Sequence, residues 1–230
     1  MQARTKKKRL EYLNKALEAE PENVDAQLMQ IQCTCDNKPD EQLPELYDLM
    51  KKAEKQLERE GFFKNDVGDF WLVLETGPYM RVCFSRFEAL IDCGMLHRAI
   101  DQGRRLLELC ETDNLGVRYA LMHLYACVED EMHALALVKQ FDGYEETQML
   151  LPLAMLYYKM NQFDKAQEYI RRLASMNKDT KKFLRLAAKE DMAGLQMASG
   201  QFGFLFAFSP YFFKWALSYL RSETAAKRKK

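Results

Sequence analysis

Apolar residues recur along this chain at intervals of three and four with polar residues between them, which is the spacing of amphipathic α-helices. Leu10, Leu13 and Leu17 make the first stripe, which stops at Glu20-Pro21-Glu22-Asn23 because Pro21 cannot continue a helix. Val24, Leu28, Ile31 and Cys35 share the next face, and Asp36-Asn37-Lys38-Pro39 interrupts it. Leu43, Leu46, Met50, Ala53 and Leu57 then predict a longer helix ending near Gly61. Residues 62–77 read as irregular, with Thr76 as the N-cap of a following helix and Pro78 in its first turn.

From there the pattern repeats in pairs. Met80, Phe84, Phe87 and Ile91 line one helix, Gly94 closes it, and Leu96, Ile100, Gly103, Leu107 and Cys110 line its partner. Val117, Leu121, Leu124 and Val128 pair with Ala134, Val138 and Phe141; Leu150, Ala154 and Tyr157 pair with Phe163, Ala166, Ile170 and Leu173. A small residue stands early in each second helix, at Ala99, Ala134 and Ala166, where close crossing of two helices requires one. These alanines are 35 and 32 residues apart, which brackets the period of about 34 of a helix-turn-helix repeat.

Composition agrees with helices and narrows the function classes. Leu, Ala and Met number 66 against 18 for Val, Ile and Thr, an imbalance that disfavours sheet, so the expected class is all-α. The 230 residues carry 34 basic and 34 acidic side chains, a zero net charge that lacks the cationic surplus of a general nucleic-acid binder. No apolar run reaches the roughly 18 residues of a membrane span, and no apolar segment of secretory type follows the basic start, so a cytoplasmic protein is expected. The six cysteines show no dense framework and read as reduced thiols.

Gly94-x4-Ala99-Ile100 and Asn161-x4-Ala166, with Tyr125 and Tyr157 nine residues before an alanine, resemble the tetratricopeptide repeat family. Lys15-Ala16-Leu17-Glu18-Ala19-Glu20-Pro21 resembles the end of such a repeat. Two longer strings, Gly68-Asp69-Phe70-Trp71-Leu72-Val73-Leu74-Glu75-Thr76-Gly77-Pro78-Tyr79-Met80-Arg81 and Asp113-Asn114-Leu115-Gly116-Val117-Arg118-Tyr119, are similar to a narrower group, the repeat region of a tumour-suppressor-like family. That pattern places His at Asp69 and Arg at Gly77, so this chain departs from it at both. The resemblance implies an alpha-alpha superhelix, a right-handed solenoid of antiparallel helix pairs. In that frame 1–61 holds the N-terminal helices, 62–77 a connector, 78–178 three helix pairs, and 179–230 an aromatic-rich helical cap.

A repeat array binds along the face lined by its first helices. The resemblance places Arg81, Phe84 and Glu88, then Tyr119 and His123, then Met155, Tyr158 and Lys159 along that groove, with Phe84 and Met155 equally readable as inter-repeat core. Aromatic area and a few charges suit a protein partner, a peptide or a helix, so the expected function is a non-enzymatic interaction scaffold. A sensor for a short peptide or small ligand in the same groove is the alternative; an enzyme using Glu75 with His123 has only residue type behind it. The Lys/Asn clamp of chaperone-tail-binding repeats is not reproduced.

Other constellations read structurally. His97, His123 and His133 lack metal-ligand spacing, Cys33-Thr34-Cys35 is a lone pair, and Gly194, Gly200 and Gly203 match no phosphate-binding loop, so no metal or cofactor is expected. Glu75, Arg81 and Arg118 read as charges that lock turns between repeats, and Asp113-Asn114 as an N-cap. The basic runs 4–9 and 227–230 read as solvated ends. Phe202, Phe204, Phe206, Phe208, Phe212 and Phe213, followed by Trp215 and Tyr219, predict an extended stretch and then a helix from Ser209-Pro210. This segment reads as a cap on the last repeat or a docking element, the cap being preferred.

Overall fold

Helix starts and stops follow the local chemistry read from the sequence. The structure, a computed structural model, describes residues 5–36, 38–141, 146–189 and 210–227, and the chain forms two compact units, Met1–Arg118 and Tyr119–Lys230. The fold is all-α, a helical-repeat arrangement of paired helices; among the described residues the only β-type pairing is the isolated bridging of Gly68 and Asp69 with Cys110. None of the described helices is long and apolar enough to cross a membrane.

The first unit contains α1 (Lys6–Ala19), α2 (Val24–Thr34), α3 (Pro39–Glu60), α4 (Phe62–Asn65), α5 (Gly77–Asp92) and α6 (Leu96–Leu109). Asn23 caps α2 by accepting from Ala26 N at 2.9 Å, and Pro39 opens α3, where a missing N–H costs nothing. Gly94 adopts φ 68 between α5 and α6, and the Met95 N to Leu90 O bond of 2.9 Å closes the turn. Helix α5 packs against α2, α3 and α6, so its buried set is wider than one stripe: Tyr79, Met80, Val82, Cys83, Phe87, Ala89 and Leu90. Phe84 and Ile91, expected on the inner face, are half-buried at its edge. Burial pushes the Cys83 thiol up to about 12, and all six cysteines are free.

Residues 62–77 hold one helical turn, α4, and then a pinned loop. Phe70 is fully buried, its ring 4.9 Å from Phe63 and 6.3 Å from Tyr79, and its N–H donates to Leu109 O at 2.9 Å. Thr76 sits at the N-cap of α5 but its side chain does not cap that helix. The hydroxyl donates instead to Phe70 O and, at 3.1 Å, to Val73 O, which satisfies two carbonyls of the loop in this buried corner.

The second unit holds all but the first two residues of α7 (Val117–Val128), then α8 (Glu131–Gln140), α9 (Thr147–Lys159), α10 (Phe163–Met176), α11 (Thr180–Ala188) and α12 (Pro210–Lys227). Ala99, Ala134 and Ala166, expected at close crossings, all show 0% exposure. Helix α9 is buried at every residue from Met149 to Tyr157, which matches its nearly unbroken apolar sequence. Helix α12 lies against α10 and α11 and buries Phe212, Phe213, Ala216 and Leu220. Trp215 is 6.1 Å from Phe212 and 6.3 Å from Tyr219, the shared helical face that the spacing predicts. Phe202, Phe204, Phe206 and Phe208, and the glycines at 194, 200 and 203, lie outside the described residues.

Candidate partner-binding surface

In each unit the first helices of neighbouring pairs run parallel, and side chains from this set hold them in register. In the first unit Arg81 of α5 donates Nε and Nη2 to the two carboxylate oxygens of Asp25 at the start of α2, both at 2.7 Å. Further along, Gln32 Nε2 donates to Ser85 Oγ at 3.3 Å. Early residues therefore meet early residues and later ones meet later ones. In the second unit Tyr119 OH near the start of α7 donates to Glu146, the N-cap of α9, while Lys159 at the end of α9 donates to Ala126 O at 3.0 Å and Cys127 O at 2.6 Å. A cation on the last carbonyls of α7 also meets the negative end of its dipole.

The eight expected groove residues thus divide, three in the first unit and five in the second, and most of the five are engaged internally. Met155 is 2% exposed and belongs to the core, because α9 is surrounded and has no open face there. Tyr158 is half-buried with its ring 4.9 Å from Trp215, 5.4 Å from Phe212 and 5.7 Å from Phe163, so α12 covers it. Lys159 is held by the α7 carbonyls and by Glu129 at 3.3 Å. Tyr119 bonds Glu146, and His123 Nδ1 lies 2.8 Å from Tyr119 O; burial lowers the His123 pKa, which leaves the ring neutral near pH 7.

In the first unit Arg81 is tied to Asp25, whereas Phe84 is half-buried and Glu88 exposed. Beside them α2 presents Met29 at 49% exposure, on the helical face that carries Asp25 and Gln32. The spacing of Met29, four positions after Asp25 and three before Gln32, places it on their helical face from sequence alone. The α2/α5 face therefore combines two apolar side chains with a carboxylate and a registered ion pair.

The two family-like strings act mainly as fold determinants. Asp113 adopts φ 51, is buried, and accepts from Val117 N at 2.7 Å, Arg118 N at 3.1 Å and Arg118 Nη1 at 2.9 Å. Arg118 thus locks its own turn. Gly77 is buried beneath Arg81, where a Cβ would stand 3.3 Å from Nη1 of that guanidinium. Glu75 is exposed. Among the described residues no group of three or more His, Cys, Asp or Glu is placed to hold a metal ion.

No curated protein matches the chain. Residues 147–180, which comprise α9, α10 and the first residue of α11, match the family model for the tetratricopeptide repeat. This helix pair is similar to a repeat that generally mediates protein–protein interaction.

Proposed function

We propose that the chain is a non-enzymatic interaction scaffold that holds a protein segment, peptide or helix, across the parallel faces of α2 and α5. The observation that carries this reading is the pair Met29 and Phe84, apolar side chains left accessible on helices whose register is fixed by Asp25–Arg81 and Gln32–Ser85. Apolar anchors supply burial, while Glu88 and the ion pair supply orientation. The likeness of residues 147–180 to a tetratricopeptide repeat, and the resemblance of the two longer strings to a repeat region, support binding over catalysis. Helix α12 serves as a cap in this reading: its inner face covers Tyr158, so a partner is directed to the first unit.

The test is the double substitution Met29→Ala with Phe84→Ala in the full chain. Co-purifying protein is identified, then titrated against wild type and variant. Affinity is expected to fall by more than about 1 kcal/mol, roughly fivefold, with helical content unchanged. Equal affinity for wild type and variant rejects the α2/α5 face.

A further inference from the structure

A second recessed site lies elsewhere in the first unit, where α3 and α6 flank the C-terminal half of α5. Its volume is about 780 Å³, with an apolar lining from Leu43, Pro44, Leu90 and Met95. Arg86 of α5 reaches into the same recess, half-buried, its guanidinium 5.5 Å from the centre of the Tyr47 ring and Nη1 donating to Gln102 Oε1. Arg86 forms no ion pair among the described residues, and its buried Nε has no hydrogen-bond partner. Arg86 follows Arg81 by five positions and Glu88 precedes Leu90 by two, so at 100° per residue this side of α5 faces away from the α2/α5 face.

The recess also carries the cations Arg98 and Arg105 and the carboxylates Asp40 and Asp101. Arg105 bonds Glu108 at 3.0 Å and lies over the Phe63 ring. Asp40 stands in the first turn of α3, where the helix dipole accommodates an anion. Arg98 and Asp101 are both exposed at the rim. Among the described residues no carboxylate is ion-paired with Arg86, whose half-buried guanidinium is met only by the Gln102 amide oxygen and the Tyr47 ring, and burial pulls it below its ordinary pKa. Withdrawing a guanidinium from water without a counterion costs stability, and a carboxylate restores it through charge-assisted bonds. Asp40 and Asp101 line the same recess and repel a doubly charged phosphate more strongly than a singly charged carboxylate.

We propose that this recess binds a carboxylate-bearing peptide segment, an Asp or Glu flanked by apolar residues, with the carboxylate on Arg86, Arg98 at the rim, and the flanking side chains on Leu43, Pro44, Leu90 and Met95. The site is independent of the α2/α5 face.

The probe is a fluorescein-labelled pool of random peptides carrying Leu-Glu-Leu, compared with the same pool carrying Leu-Gln-Leu, read by anisotropy against the full chain. A charge-assisted contact predicts that wild type binds the Glu pool about tenfold more tightly. Arg86→Gln is expected to abolish that preference, Arg98→Glu to reduce it, and Phe84→Ala to leave it intact. Absence of a Glu preference in wild type, or its survival in a folded Arg86→Gln, overturns the proposal. Should Arg86→Gln lose helical content, the exposed Arg98→Glu decides, and an undiminished preference there overturns it. Competition by inorganic phosphate stronger than by acetate overturns the carboxylate assignment.

Discussion

Replacing Asp113 tests whether one buried side chain sets the turn that leads into α7. Its carboxylate accepts from two backbone amides, Val117 N and Arg118 N, and from the Arg118 guanidinium, and its backbone holds φ 51. In Asp113→Ala the two amides lose a charged acceptor, at about 1.5 kcal/mol each, and a Cβ-bearing residue without a local acceptor is left in the left-handed region, which costs about 1 more. The sum is about 4 kcal/mol. Asp113→Gly removes the same bonds but tolerates the backbone, so it should cost about 3. Asp113→Asn keeps one acceptor oxygen and tolerates φ near +50°, and it also removes a carboxylate whose pKa burial raises against the pull of its donors. That relief trims the loss of charge to about 1 to 2 kcal/mol. The expected order of stability is wild type, Asn, Gly, Ala. Urea unfolding followed by circular dichroism gives each value from the midpoint at constant slope. Alanine as stable as glycine refutes the backbone argument, and asparagine as unstable as alanine refutes the assignment of the amide bonds.

Three further expectations concern the second unit. Trp215→Ala removes a half-buried ring in contact with Tyr158, Phe163 and Phe212 and is expected to cost about 2 to 3 kcal/mol. Truncation after Lys178, which deletes α11 and α12, is expected to give an insoluble or strongly destabilised protein; a soluble fragment with an unchanged melting temperature sinks the cap. His123, its pKa lowered from 6.5 by burial, binds fewer protons folded than unfolded in the interval below that value. Its contribution is therefore complete above about pH 6.5 and is lost as pH falls through the lowered value, so stability should drop from pH 7 to pH 5. His123→Gln should flatten that drop, and an unchanged slope in thermal melts refutes the assignment.

The path from sequence to site is uneven for reasons visible at single residues. Helix boundaries at Asn23, Pro39, Gly61 and Gly94 were legible because caps and breakers act over four or five residues. The small residues at Ala99, Ala134 and Ala166 were legible because close crossing of paired helices leaves room for little else. Thr76 was legible as a position but not as a role: its hydroxyl turned back to the Phe70 and Val73 carbonyls, a choice that depends on how the loop is buried.

Groove residues were harder. Met155 occupies a groove position by spacing, yet the apolar run from Met149 to Tyr157 already signalled a helix without a wet face. Tyr158 is covered by Trp215, fifty-seven positions later, and Lys159 reaches carbonyls more than thirty positions earlier, distances over which no local period reports. An arginine within an amphipathic helix ordinarily faces water, whereas the half-burial of Arg86 follows from α3 and α6 closing on α5. Periodicity and capping chemistry, acting within a few turns of chain, determine that this protein is made of paired helices and where each one stops. Which faces of those helices stay open, which cation lacks a carboxylate partner and which aromatic is covered depend on contacts between distant segments, and these the packed tertiary structure alone decides.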